Sequence, residues 1–297
     1  MFRQALRRIY KAFPFILRFL GRDLYLYLKA RIKGAVPVSE LKIEKNFNDV
    51  AVVGNGPSLR LDKNNFSILK DSHDFICVNN FCDDRLYTVI KPKVYVFLDA
   101  YFFSENAHSD WIERREKTFS IINEKTEWPM KIIVPHYADE KILTKSIQNE
   151  NVKIIKIATQ GLPCKEYNDL LGKVFDMGIY GPPQINVLIY GIYIGIILGY
   201  EKVNVYGADL SFHKDISVDQ NTNDLYITFK HFNEKDNIEV LRKNPDKVMK
   251  WRMAELLQLS ADTFSAHELM SDYAKYKGVS ILNKSSQSLI DAYPRNE

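Results

Sequence analysis

The stretch Val50-Ala51-Val52-Val53-Gly54-Asn55-Gly56-Pro57-Ser58-Leu59 constrains this chain more than any other. A short β-branched run has the character of a parallel strand buried on both faces. It runs into a turn where Gly54 and Gly56 carry no Cβ, so another group can approach the backbone closely. Pro57 has a helix-like φ and no N–H, which suits the opening of a helix. Ser58 adds a hydroxyl where backbone amides would converge on an anion. Such a unit places a nucleotide at the edge of an open α/β sheet. It is neither a G-x-G-x-x-G fingerprint nor a phosphate loop closed by Gly-Lys-Ser/Thr.

The rest of the chain repeats the alternation. Predicted strands are Phe75–Val78, Val94–Leu98, Lys131–Val134, Val152–Ile157, Lys202–Tyr206 and Val279–Asn283. Ile185–Leu198 is predicted as a buried apolar helix, too short to span a bilayer, and 251–277 as an amphipathic helix. Alternation of this kind implies a Rossmann-like, doubly wound and mostly parallel sheet. Residues 34–48 read as a linker and 212–250 as a polar lid. The expected organisation is an arm and linker over 1–45 and a nucleotide-sugar-binding domain over 46–297. The cysteines Cys77, Cys82 and Cys164 have no paired or metal-ligating spacing, which fits reduced thiols.

A net charge of +4 hides an asymmetry: residues 1–33 carry nine basic residues and one acid, Asp23. Phe2, Leu6, Ile9, Phe13, Ile16 and Leu20 share one helical face, and Arg7, Lys11, Arg18 and Arg22 lie opposite. Pro14 demands a kink. Leu24–Leu28 adds Tyr25 and Tyr27. This pattern suits a helix in the headgroup layer of an anionic membrane. A helix packed on its own domain or on a second subunit is the alternative, and self-association stays open. Nucleic acid is not the expected partner.

Polar residues follow the carboxyl ends of the predicted strands: Gly54-Asn55, Asn79-Asn80, Asp99, His136, Asp209 and Asn283. Ligands of open α/β sheets bind outside those ends, and asparagine amides both donate and accept.

Four of these segments together resemble the bacterial sialyltransferases of glycosyltransferase family 42, over roughly residues 50–290. They are Val53–Leu59, Asp74–Phe81, Val96–Asp99 with Tyr101-Phe102-Phe103, and Ile196–Tyr200 through Gly207-Ala208-Asp209. The resemblance implies a variant GT-A-like fold and inverting, metal-independent transfer of a sialic acid-like or other acidic sugar from a CMP-activated donor. It implies no cofactor and no metal site, and the chain has no Asp-x-Asp motif. The expected acceptor is a surface glycan (lipooligosaccharide, O-antigen or capsule), and the expected location is the cytoplasmic face of a bacterial inner membrane.

The donor-binding residues so implied are Gly54, Asn55, Gly56, Ser58, Asn79, Asp99, Asn186, Asp209 and Ser211. His231 in the lid occupies the place of the general base, with His213 as the other candidate, and Tyr226 is placed to donate to the leaving phosphate. His267, within the last helix, is expected to be structural. The chain departs from the family in carrying Asp99 for an asparagine, Gly181-Pro182-Pro183-Gln184 and Asn186 for a Thr-Ser pair, and Ser211 for a tyrosine. The opening motif also occurs in flagellin-glycosylation and pterin diphosphokinase-like proteins. An ATP-dependent phosphotransferase and a non-catalytic membrane-associated binding protein therefore stay open.

Overall fold

The structure, a computed structural model, describes residues 22–162, 166–229, 237–243, 246 and 249–296. Strands of three or more residues are numbered in chain order: β1 (Asp49–Val53), β2 (His73–Val78), β3 (Val94–Val96), β4 (Met130–Pro135), β5 (Val152–Ile157), β6 (Lys202–Tyr206), β7 (Ile216–Val218), β8 (Leu225–Phe229), β9 (Asn237–Val240) and β10 (Ser280–Asn283). The longer helices are α1 (Leu24–Ile32), α2 (Ser109–Lys125), α3 (Asp169–Asp176), α4 (Val187–Ile197) and α5 (Met253–Lys277).

Seven strands form one parallel sheet in the order β10-β6-β1-β2-β3-β4-β5. The chain winds outward from β1 to β5, then returns to β6 on the other side of β1. The strand order therefore reverses at β1 and β6. This is the Rossmann-like, doubly wound architecture expected from the alternation.

Side chains leave successive residues of a strand on opposite faces, so each strand feeds two cores. Val50, Val52, Ile76, Val78, Val203 and Val205 pack against α4, with α5 behind it in the same core. Ala51, Val53, Phe75, Cys77, Tyr95 and Phe97 pack on the other face, with Phe119 and Ile122 of α2. Both faces are covered, which is why the strands are apolar throughout rather than alternating. Each fully buried Val or Ile contributes roughly 1.5–3 kcal/mol. Because α4 lies between the sheet and α5, ten of its eleven residues are buried, and its apolar character is explained by the core.

Cys77 and Cys82 are free and buried, and burial pushes both thiols above their ordinary value. His267 is buried and its Nδ1 lies 2.8 Å from the Tyr293 hydroxyl, a structural placement. Cys164, His231 and residues 1–21 lie outside the described residues.

Two segments differ from expectation. Residues 34–48 are not a bare linker: Ala35, Val38 and Leu41 are buried, and Val36 bridges Ile157 at the end of β5. Small apolar side chains three apart let this segment lie on the domain. The 212–250 segment holds an antiparallel sheet in the order β9-β8-β7 and a two-residue pairing of Arg242–Lys243 with Met249–Lys250. Its strands are too short for a strong periodic signal, although Leu225 and Ile227 are buried on one face. Among the described residues no helix is long and apolar enough to cross a membrane.

Candidate functional site

A cleft of about 370 Å³ opens outside the carboxyl ends of β1, β2 and β6, within the usual range of ligand pockets. It lies at the reversal of strand order, where open α/β sheets bind ligands. Its floor comes from Gly54–Pro57, Val78-Asn79 and Gly207–Ser211, with Asn186–Leu188 from the start of α4. Its far wall is apolar: Ile227 of β8, Leu241, Trp251, and Leu256 and Leu259 of α5.

The glycine turn is built differently from expectation. The Ser58 amide lies 3.2 Å from both Asp209 carboxylate oxygens, and the Ser58 hydroxyl donates to Oδ2 at 2.9 Å. The anion at this turn is the protein's own. A Cβ on Gly56 would lie 1.9 Å from Asp209 Oδ2, and one on Gly54 would lie 2.5 Å from the Gly207 carbonyl oxygen. The two glycines thus let the loops after β1 and β6 touch. Ser58 is 1% exposed and faces Asp209 instead of the cleft. Burial raises the Asp209 carboxyl above its ordinary value, and the Ser58 hydrogen bonds pull it back.

Asn55 and Asn79 do line the cleft. Asn55 Nδ2 donates to the Val78 carbonyl at 3.2 Å. Asn79 Nδ2 donates to Asp99 Oδ2 at 2.7 Å. Each nitrogen faces an obligate acceptor, which fixes the orientation of the amide. Both opposite oxygens, Asn55 Oδ1 and Asn79 Oδ1, are buried without a hydrogen-bond partner. Buried polar atoms are nearly always paired, so two orphan acceptors in one cleft call for donors from a ligand. Asn79 holds φ at +48°, a left-handed conformation asparagine tolerates. Its carbonyl accepts from the Tyr95 hydroxyl at 2.6 Å.

Asp99 stands behind Asn79 and is itself exposed. Crowding pushes its carboxyl upward, while Arg114 and the Asn79 amide pull it down. Water at its exposed side limits the rise.

Asn186 lines the cleft and caps α4, accepting from the Leu188 amide at 2.8 Å. Ser211 lines it just ahead of the turn Phe212–Asp215, which carries His213. Tyr226 lies in β8 opposite Ser217 and Val240 and is not among the lining residues, whereas its neighbours Ile227 and Thr228 are.

Other strand-end residues serve the fold. Asn80 donates to Thr118 and accepts from the Tyr101 hydroxyl. Asn283 donates to the Ile290 carbonyl. His136 lies 3.4 Å from the Gln160 amide, its pKa lowered first by burial and then by Lys156.

Trp251 lines the cleft without standing at a strand end of the parallel sheet. Lys243 Nζ sits 5.0 Å from its ring centroid, and the Lys243–Glu255 ion pair ties this wall to the first turn of α5. The available signal was a tryptophan at the junction of lid and helix. Among the described residues no group of three or more His, Cys, Asp or Glu side chains is placed to hold a metal ion.

No protein-family model matches the chain, and a comparison with curated proteins gives no match. Among solved structures it is similar to the sialyltransferase CstII from Campylobacter jejuni, determined in complex with a substrate analogue, CMP-3FNeuAc. The identity is 15%, over 84% of this chain and 85% of that one, with a TM-score of 0.42.

Proposed function

We propose that this chain is an inverting, metal-independent glycosyltransferase. It moves a sialic acid-like or other acidic sugar from a CMP-activated donor to a surface-glycan acceptor at the cytoplasmic face of a bacterial membrane, held there by its basic residues 1–33. The observation that carries the reading is the pair of orphan amide oxygens, Asn55 Oδ1 and Asn79 Oδ1, in a cleft at the strand-order reversal. A cytidylate offers matching donors in its ribose hydroxyls and exocyclic amino group. The start of α4 adds positive potential for a single phosphate. The sequence motifs support the same donor.

In the proposed step the acceptor hydroxyl oxygen bonds to the anomeric carbon as the bond to the phosphate oxygen breaks. CMP leaves with the bonding pair, and a base takes the hydroxyl proton. The resemblance gives that role to His231, with His213 as the alternative.

The phosphotransferase reading needs a polyphosphate at the Gly54–Ser58 turn. There the Ser58 amide and hydroxyl are engaged by Asp209, whose negative charge repels phosphate. A thermal-shift comparison of CMP, UMP, GDP and ATP tests the proposal: CMP is expected to raise the melting temperature most. Turnover of a CMP-sugar separates the enzyme from a non-catalytic binding protein.

A further inference from the structure

Away from the cleft, the outer edge of β5 borders a groove of about 920 Å³ lined by Lys33, Lys42, Lys131, Lys153 and Lys156. Two acids line it, Glu40 and Glu150, and Glu40 is paired with Arg31 at 3.2 Å. Two of the lysines interact: burial, and then the neighbouring Lys153, lower the pKa of Lys131. Beside this groove, α1 packs on the domain through Ala30 and Tyr27, against Ala35 and Ala158. Its other face carries Tyr25, Leu28 and Ile32, which are 61%, 50% and 87% exposed. Their spacing puts them on one side of the helix. Ile32, the last residue of α1, is followed by Lys33, the first residue that lines the groove.

We infer that this composite face, α1 together with the β5-edge groove, is a docking surface for an acidic lipid bilayer. The inference deepens the membrane part of the reading above and rests on it, moving the contact from the arm alone onto the folded domain. The chemistry selects the partner. Clustered lysines suit anionic headgroups, and an aliphatic and aromatic stripe beside them suits the acyl boundary. A second copy of the chain would set lysines against lysines. The sequence before α1 continues the same composition, with Phe13, Ile16, Arg18 and Leu20.

Docking there has a geometric consequence. The cleft stands over β1 and β6, four and five strand spacings from β5, or about 19–24 Å across the sheet. The reacting end of a membrane-linked acceptor would extend that far.

The test is co-sedimentation of the full chain with vesicles of phosphatidylcholine alone or mixed with phosphatidylglycerol. Wild type should bind the mixed vesicles at least tenfold more tightly. The Lys42→Glu/Lys153→Glu variant, altered at two exposed side chains, should lose at least tenfold on the mixed vesicles. Leu28→Ser/Ile32→Ser should weaken binding to both. The idea is overturned if these variants bind like wild type while Arg7→Glu/Arg8→Glu/Lys11→Glu alone releases the protein, or if acidic lipid makes no difference. CMP-induced thermal shifts are read in parallel and should match in all variants. A chain that docks on vesicles yet ignores CMP refutes the catalytic reading and leaves the docking face standing.

Discussion

Ser58 and Asp209, 151 residues apart, are joined by the Ser58 hydroxyl at 2.9 Å and by its amide at 3.2 Å. This contact ties the loop after β1 to the loop after β6 across the point where the strand order reverses. It fixes the floor of the cleft before any ligand arrives.

Gly56→Ala should therefore destabilise the fold by at least about 2 kcal/mol, since its Cβ would overlap Asp209 Oδ2. Ser58→Ala should cost about 1.5–3 kcal/mol, the range for a hydrogen bond to a charged group. Urea melts with an unchanged slope would check both.

Asn79→Asp should abolish nucleotide binding. It sets a second carboxylate where an amide now donates to Asp99 at 2.7 Å, and like charges at that distance repel. Asn55→Ala should weaken binding about tenfold, the equivalent of one lost hydrogen bond of about 1.4 kcal/mol. Titration calorimetry reads both outcomes.

His231→Ala should remove transfer while leaving CMP affinity within about twofold, because a general base acts on the acceptor hydroxyl. If His213→Ala has that effect and His231→Ala does not, the assignment passes to His213. Chelation of divalent ions with EDTA should leave the rate unchanged, and a lost rate would favour phosphotransfer.

Burial lowers the pKa of His267 to about 3, so the fold favours the neutral ring. A lowered histidine contributes stability that is present above the unfolded value of about 6.5 and is lost as pH falls toward 3. Between pH 7 and pH 5 the loss should reach about 2 kcal/mol. Thermal melts of wild type and His267→Gln at the two pH values isolate it: the variant should lack this part of the acid dependence.

The sheet was largely legible because its strands are β-branched runs bounded by turns. Lys202–Tyr206 and Val152–Ile157 match their predicted limits to the residue, and α4 starts two residues late because Asn186 caps it. What the sequence hid is non-local. No local pattern shows that Asp209 fills the turn at Ser58, or that Trp251 and Leu241 close the cleft opposite Asn79. The strand-end asparagines look alike in sequence, yet neighbours decide their fates. Tyr101 and Thr118 consume Asn80, the Ile290 carbonyl takes Asn283, and Asn55 and Asn79 keep an unused oxygen.

Calorimetric titration of CMP into wild type and Asn79→Ala probes the orphan-oxygen pair head on. Saturable binding to wild type, stronger than for UMP, GDP or ATP and at least tenfold weaker in the variant, is the predicted result. Failure of wild type to bind any cytidine nucleotide, or equal affinity in the two proteins, would contradict it.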